Sequence, residues 1–234
     1  MEIPDGRKYL AVGIYAIAMA MVEAAVVVYM RALYYPEGFL FPLNMIEGRI
    51  ALTEVFREAA TVVMLITVAL LAARKGIERF AWFIYAFAIW DIFYYVFLYL
   101  LLGWPESLLT WDILFLIPVT WTGPVVAPVI NSLTMILLTI VILRNSSQDK
   151  TFRVKFRDWI LLIAGSLVTI FAYTEDYSRF MLKRFSPADL LSVPPSKELM
   201  DHALTFIPVR FDWALFGIAE IMFLVAIFLI LKKK

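Results

Sequence analysis

Glu54, Arg57, Glu58 and Thr61 follow the i, i+3, i+4, i+7 spacing that puts four side chains on one face of a helix. They do so inside an apolar run, 49–73, long enough to cross a bilayer. Glu23, Asp91 and Glu220 lie within three further apolar runs, 9–33, 80–102 and 209–231. Asp91, Tyr94 and Tyr95 share a helix face, with Trp90 beside them. Five acids therefore sit at membrane depth with one base, Arg57, and each ionised side chain at the bilayer centre costs ~2.5–3.5 kcal/mol. Such residues must face inward and find partners. Arg57 neutralises one of them, so either several acids are protonated or a cation sits among them. Counting from the span ends puts Glu23, Glu58, Asp91 and Glu220 near the midplane and Glu54 nearer the outer surface. The expectation is one pocket in the outer half of the bundle, built from Glu23, Glu54, Arg57, Glu58, Asp91, Tyr94, Tyr95 and Glu220. The competing reading is a structural polar knot, in which Arg57 pairs with Glu54 or Glu23 and protonated acids bond to Tyr94, Tyr95 or backbone carbonyls.

The residue types limit the chemistry. Oxygen-only ligands suit a hard divalent cation such as Ca²⁺, Mg²⁺ or Mn²⁺. The chain has no Cys and one His, His202, so no haem, iron–sulfur cluster or zinc–thiolate site is expected. His202 falls in an outer loop and reads as a surface residue. A Ser-His-Asp triad cannot be assembled around it, and phosphate-cradling Gly loops are absent. Three functions fit what is left. The first is proton or cation handling in a transport-like role, with Arg57 tuning the acids, although only 9 of 234 residues are Gly and the bundle reads as rigid. The second is a membrane enzyme acting on an apolar isoprenoid, terpenoid or lipid, with Asp91 and Glu58 as the candidate catalytic acids. There Trp90, Tyr94, Tyr95, Phe56, Trp213 and Phe216 would stabilise a developing cation through their ring faces. Trp90-Asp91 with Tyr94 resembles the Trp-Glu-x-x-Tyr pattern of small integral-membrane terpene cyclases, which use carboxylates in aromatic pockets. The resemblance covers these few residues, has Asp where that family has Glu, and extends to none of its other motifs, so it implies no membership. The third is a non-catalytic accessory subunit of a larger membrane complex.

The elements that must position these residues follow from composition and punctuation. The chain is 63% hydrophobic and 16% aromatic, with a mean hydropathy of +0.83, beyond what a soluble domain can bury. This predicts a single all-α, polytopic membrane bundle of about six transmembrane helices: 9–33, 49–73, 80–102, 125–143, 159–173 and 209–231. The first run follows Arg7 and Lys8 but is too long for a signal-peptide core and is read as a helix. Pro118, Gly123, Pro124 and Pro128 interrupt the stretch after Trp104-Pro105, which is read as a short interfacial or re-entrant helix over 106–117. Outer segments 34–48, 104–124 and 175–208 are expected on the membrane surface, with Trp111, Asp112 and Trp121 forming a lid or mouth. A three-plus-three inverted repeat would align Asp91 with Glu220, but the flanking residues do not match.

Placing both termini, the 74–79 turn and the 144–157 loop on one side collects 13 of the 21 Lys and Arg residues, which predicts cytoplasmic termini. Trp82, Trp104, Trp111, Trp121, Trp159 and Trp213 fall near span ends, as an aromatic belt requires. The expected location is the plasma membrane, and the expected partners are lipids, with an ion or a small apolar ligand. A net charge of +1 gives no field to attract nucleic acid, so none is expected. Oligomeric state is not readable from these features.

Overall fold

A computed structural model describes residues 6–116, 119–190, 192 and 196–232. Among these residues six helices are long and apolar enough to cross a membrane: α1 (Gly6–Tyr34), α2 (Gly48–Ala72), α3 (Gly76–Leu102), α4 (Val126–Gln148), α5 (Phe156–Met181) and α8 (Trp213–Leu231). Between them lie a two-stranded antiparallel hairpin, β1 (Trp111–Phe115) and β2 (Trp121–Pro124), and two short helices, α6 (Pro187–Leu190) and α7 (Lys197–Ala203). The protein is an all-α polytopic bundle with one small β-hairpin.

Small residues decide which helices approach closely, because lipid tails leave little hydrophobic force to bring helices together. Gly13, Ala16, Ala20 and Ala24 form a buried stripe along α1. Ala81 and Ala88, seven residues apart and fully buried, share one face of α3, and Ala86 is fully buried on another. α3 is thereby the central helix, packed against α1, α2 and α4, while α8 joins α4 to α5. At Gly165 on α5 an added Cβ would lie 2.8 Å from the ring of Phe223 on α8, so glycine sets that approach. α3 stops at Gly103, whose φ of 65° places it in the left-handed region and whose N–H donates to the Tyr99 carbonyl at 2.9 Å.

The structure departs from the sequence expectation in four places. The expected helix over 106–117 is absent from its described residues, 106–116, which enter β1, whose residues Trp111, Asp112, Ile113 and Phe115 pair with Pro124, Gly123, Thr122 and Trp121. Its Ile117 and Pro118 lie outside the described residues. Aromatic and β-branched residues on both strands favour the extended chain. The apolar run disguised them, because Asp112 is the one polar residue of β1 and a single polar position shows no alternation of period two. The hairpin's ladder continues through Val125 N–H to Thr110 O at 3.0 Å and Val126 N–H to Leu108 O at 2.8 Å, so its backbone is satisfied without a helix.

α5 continues from 173 to Met181 because the polar residues after Tyr173 are compatible with helix, and Glu175 and Arg179 pair across one turn. α8 begins at Trp213 rather than near 209, since the Asp212 carboxylate caps it by accepting from the N–H groups of Ala214 and Leu215 at 3.1 and 3.0 Å. His202 is not a surface residue: its ring is half-buried and stacked on Phe180 with centroids 4.5 Å apart.

The start of α1, the end of α2 and the start of α3 meet around Lys8, Lys75 and Glu78. The ends of α4 and α8 join them through Ser146 to Glu78 at 2.6 Å and Asn145 to the Ile230 carbonyl at 2.8 Å. This end of the bundle carries the Lys and Arg excess, and the hairpin and α7 lie at the other. The chain lacks cysteine, so single-cysteine variants test its orientation. A membrane-impermeant maleimide should label Lys183→Cys in intact cells and Lys150→Cys only after permeabilisation. The reverse pattern would place the termini outside.

Candidate functional site

At the hairpin end, α1 and α2 touch each other far less than each touches α3, and the space between them opens into a cavity of about 760 Å³. Its walls come from the last turns of α1, the first turns of α2 and the second half of α3. Segment 35–47, β1 and α7 cover it. Trp90, Tyr94, Tyr95 and Tyr177 supply aromatic surface, and Leu65 and Leu199 supply aliphatic surface.

The α2 face lines this cavity with all four residues that the spacing aligned, Glu54, Arg57, Glu58 and Thr61. Arg57 bridges two helices. Its Nη1 donates to Glu23 Oε1 on α1, and its Nε donates to Glu54 Oε2 at 2.7 Å. The Thr61 hydroxyl stands 3.4 Å from the other Glu23 oxygen. Arg57 thus balances one of these two carboxylates and shares itself between them. Glu58, one residue on, accepts the Leu116 backbone N–H at 3.1 Å, and Asp91 on α3 accepts the Ser132 hydroxyl of α4 at 2.8 Å. Among the described residues neither Glu58 nor Asp91 makes an ion pair. Trp90, beside Asp91 and stacked on Tyr94 with centroids 6.5 Å apart, has a buried indole N–H with no acceptor among the described residues.

A second charged group completes the wall. Asp112 of β1 is 3% exposed and stands 3.9 Å from Arg31 of α1, and it accepts the Tyr95 hydroxyl at 3.2 Å. The Arg31 guanidinium lies over the Trp104 ring, 3.8 Å from its centroid, and 4.6 Å from that of Phe39. Burial pushes the Asp112 carboxyl up to about 6, against the opposing pull of Arg31, the Ile113 amide and the Tyr95 hydroxyl. Arg31, at the outer end of the apolar run 9–33, is absent from the expected pocket. The overlooked signal is its spacing: Glu23, Val27, Met30 and Arg31 fall at i, i+4, i+7 and i+8 and all line the cavity.

The structure brings together Glu23, Glu54, Arg57, Glu58, Asp91, Tyr94 and Tyr95, with Asp112 added. Glu220 is not among them. It lies between α8 and α4, where Asn131 Nδ2 and Thr134 Oγ1 donate to its two oxygens at 2.5 and 2.6 Å, and Tyr173 donates to Asn131 at 2.5 Å. One carboxylate satisfied by neutral donors needs no place in a shared pocket. Trp111 and Trp121 do not form the mouth either. Trp111 packs edge-on to Phe211, and Trp121 stacks on Tyr173 with centroids 5.9 Å apart. Phe56 points outward, 67% exposed, and Trp213 and Phe216 cluster with Phe211 away from the cavity. Among the described residues no three acids or His side chains converge as a metal cage.

Fold and site define an integral membrane protein with an acid-lined, aromatic-walled internal cavity. No protein-family model, curated protein or solved structure matches this chain.

Two measurements follow from this geometry. Arg57→Ala should cost about 3 kcal/mol of stability in detergent, because it strands Glu23 and Glu54 without a cation. An unchanged unfolding midpoint would mean the bridge contributes nothing. Asp112 binds its proton more tightly when folded than when unfolded. The stability this confers is therefore present below the ordinary carboxylate range and is lost as pH rises from about 4 to about 6, a change of about 3 kcal/mol. Relative to Asp112→Asn, the unmodified protein should lose stability across that window. Parallel stability curves for the two proteins would contradict the assignment.

Proposed function

We propose that the protein binds an amphipathic organic cation in this cavity and handles it in a transport-like role, with Glu58 and Asp91 as counter-charges. The observation that carries the reading is that these two carboxyl groups make no ion pair among the described residues, while Glu23 and Glu54 pair with Arg57 and Asp112 with Arg31. Aromatic faces attract cations by ~0.5–2 kcal/mol each, and Trp90, Tyr94 and Tyr95 line the same wall as Asp91. The volume of about 760 Å³ suits a small organic molecule. A bare metal ion would need converging oxygens, whereas a bulky cation takes its charge from one or two carboxylates and its contacts from apolar walls.

A second reading, an enzyme acting on an apolar isoprenoid or lipid, is favoured by one observation, the stacked Trp90–Tyr94 pair flanking Asp91. There a protonated Asp91 would deliver its proton to a substrate double bond, and the two rings would face the carbocation formed.

Tetraphenylphosphonium binding to the purified protein tests the first reading. The expected result is saturable binding weakened at least tenfold by Asp91→Asn and by Glu58→Gln separately, a loss of at least ~1.4 kcal/mol for each. It should also weaken as protons compete at lower pH, and proteoliposomes should show flux of the same probe. Absence of binding, together with an altered lipid extract in cells carrying Asp91→Asn, would favour the enzyme. Absence of both effects would dismiss the cavity as a site.

A further inference from the structure

A second cavity lies at the opposite end of the bundle, and its chemistry is the reverse of the first. About 600 Å³ in volume, it is bounded by the first turns of α1, the last turns of α2 and the turn into α3. Three cations, Lys8, Arg74 and Lys75, line it with one carboxylate, Glu78. That carboxylate is already engaged. Glu78 accepts the Ser146 hydroxyl of α4 at 2.6 Å and pairs with Lys75 at 3.4 Å, and the Lys75 ammonium also donates to Ser146 at 3.3 Å. Arg79 donates to the Ala73 carbonyl at 3.0 Å and holds the turn in place. Lys8 and Arg74 make no ion pair or side-chain hydrogen bond among the described residues, and both are exposed.

The position of these cations relative to the apolar wall narrows the ligand. Deeper along the helices the cavity is lined by Val12, Val68 and Leu71, the last 84% exposed on the outer surface of the bundle. The cations stand at the span ends, at the depth of lipid headgroups. A groove between two helices, apolar at acyl-chain depth and cationic at headgroup depth, matches an anionic amphiphile in both parts. A free phosphate would use the cations and leave the apolar wall unfilled. A zwitterionic lipid would bring its own ammonium against Lys8 and Arg74.

We infer that the groove between the start of α1 and the end of α2 binds an anionic phospholipid, its phosphate held by Lys8 and Arg74 and an acyl chain lying along Val12, Val68 and Leu71. The inference is independent of the acid-lined cavity and stands whatever that cavity binds.

The test is a titration of the purified full chain, in a non-ionic detergent, with dioleoylphosphatidylglycerol, dioleoylphosphatidylcholine and inorganic phosphate. Unfolding midpoint and retained lipid in native mass spectrometry are the readouts. Phosphatidylglycerol should raise the midpoint saturably and remain bound at one copy, at least tenfold more tightly than phosphatidylcholine, with phosphate inert over the same range. Lys8→Gln with Arg74→Gln should weaken the phosphatidylglycerol effect at least tenfold, whereas Lys8→Arg with Arg74→Lys should retain it. The retained effect separates loss of charge from a damaged fold. Equal binding of both lipids, saturation by phosphate alone, or an undiminished effect in the Gln pair would each overturn the inference.

Discussion

A carboxylate at membrane depth must be matched by a cation, a set of donors or a proton, and the outer half of this bundle is organised around that requirement. Arg57 shares one positive charge between Glu23 and Glu54 by reaching from α2 to α1, two helices that make little other contact with each other. The small-residue stripes hold α1 to α3, but nothing comparable draws α2 onto α1. The guanidinium bridge therefore sets how far apart those helices stand at this end. The gap that results is the cavity, and Glu58 enters it because it follows Arg57 on the same face.

The acids do not form one pool. They divide into three local solutions of the same electrostatic problem. One is the Arg57 bridge. Another is Asp112 with Arg31 and Tyr95, which ties the β-hairpin to α1 and α3 and uses the Trp104 and Phe39 rings to shelter the guanidinium. The third is Glu220, satisfied by neutral donors from Asn131 and Thr134 and remote from the cavity. What these arrangements leave over is Glu58 and Asp91, each with one neutral donor, beside a buried indole N–H that lacks an acceptor among the described residues. A polar knot and a ligand site thus coexist: the knot builds the wall, and the unmatched groups face the space.

The two ends of the molecule carry opposite chemistry. Acids gather in the large cavity beneath the hairpin and α7, and bases gather in the smaller groove near both termini. The same asymmetry that orients a chain in a bilayer also prepares one end for cations and the other for anionic headgroups.

The amino-acid order alone determined the six spans, the side of the bundle on which Lys and Arg collect, and the shared face of Glu54, Arg57, Glu58 and Thr61. Hydropathy over ~20 residues and helical periodicity are local properties, readable without knowing what packs where. Boundaries drawn from polarity erred where polarity and helix diverge, as at the end of α5 and at the Asp212 cap of α8. The hairpin escaped because β1 has a single polar residue, Asp112, which is too little to show an alternation. Only the tertiary structure decided that Arg31 joins the cavity, that of the expected mouth residues Asp112 lines it while Trp111 and Trp121 do not, that Glu220 lies apart, and which acids make no ion pair. Those outcomes depend on rotation and register between helices far apart in the chain, set by close approaches such as Gly13 of α1 to Tyr85 of α3, and no single segment encodes them.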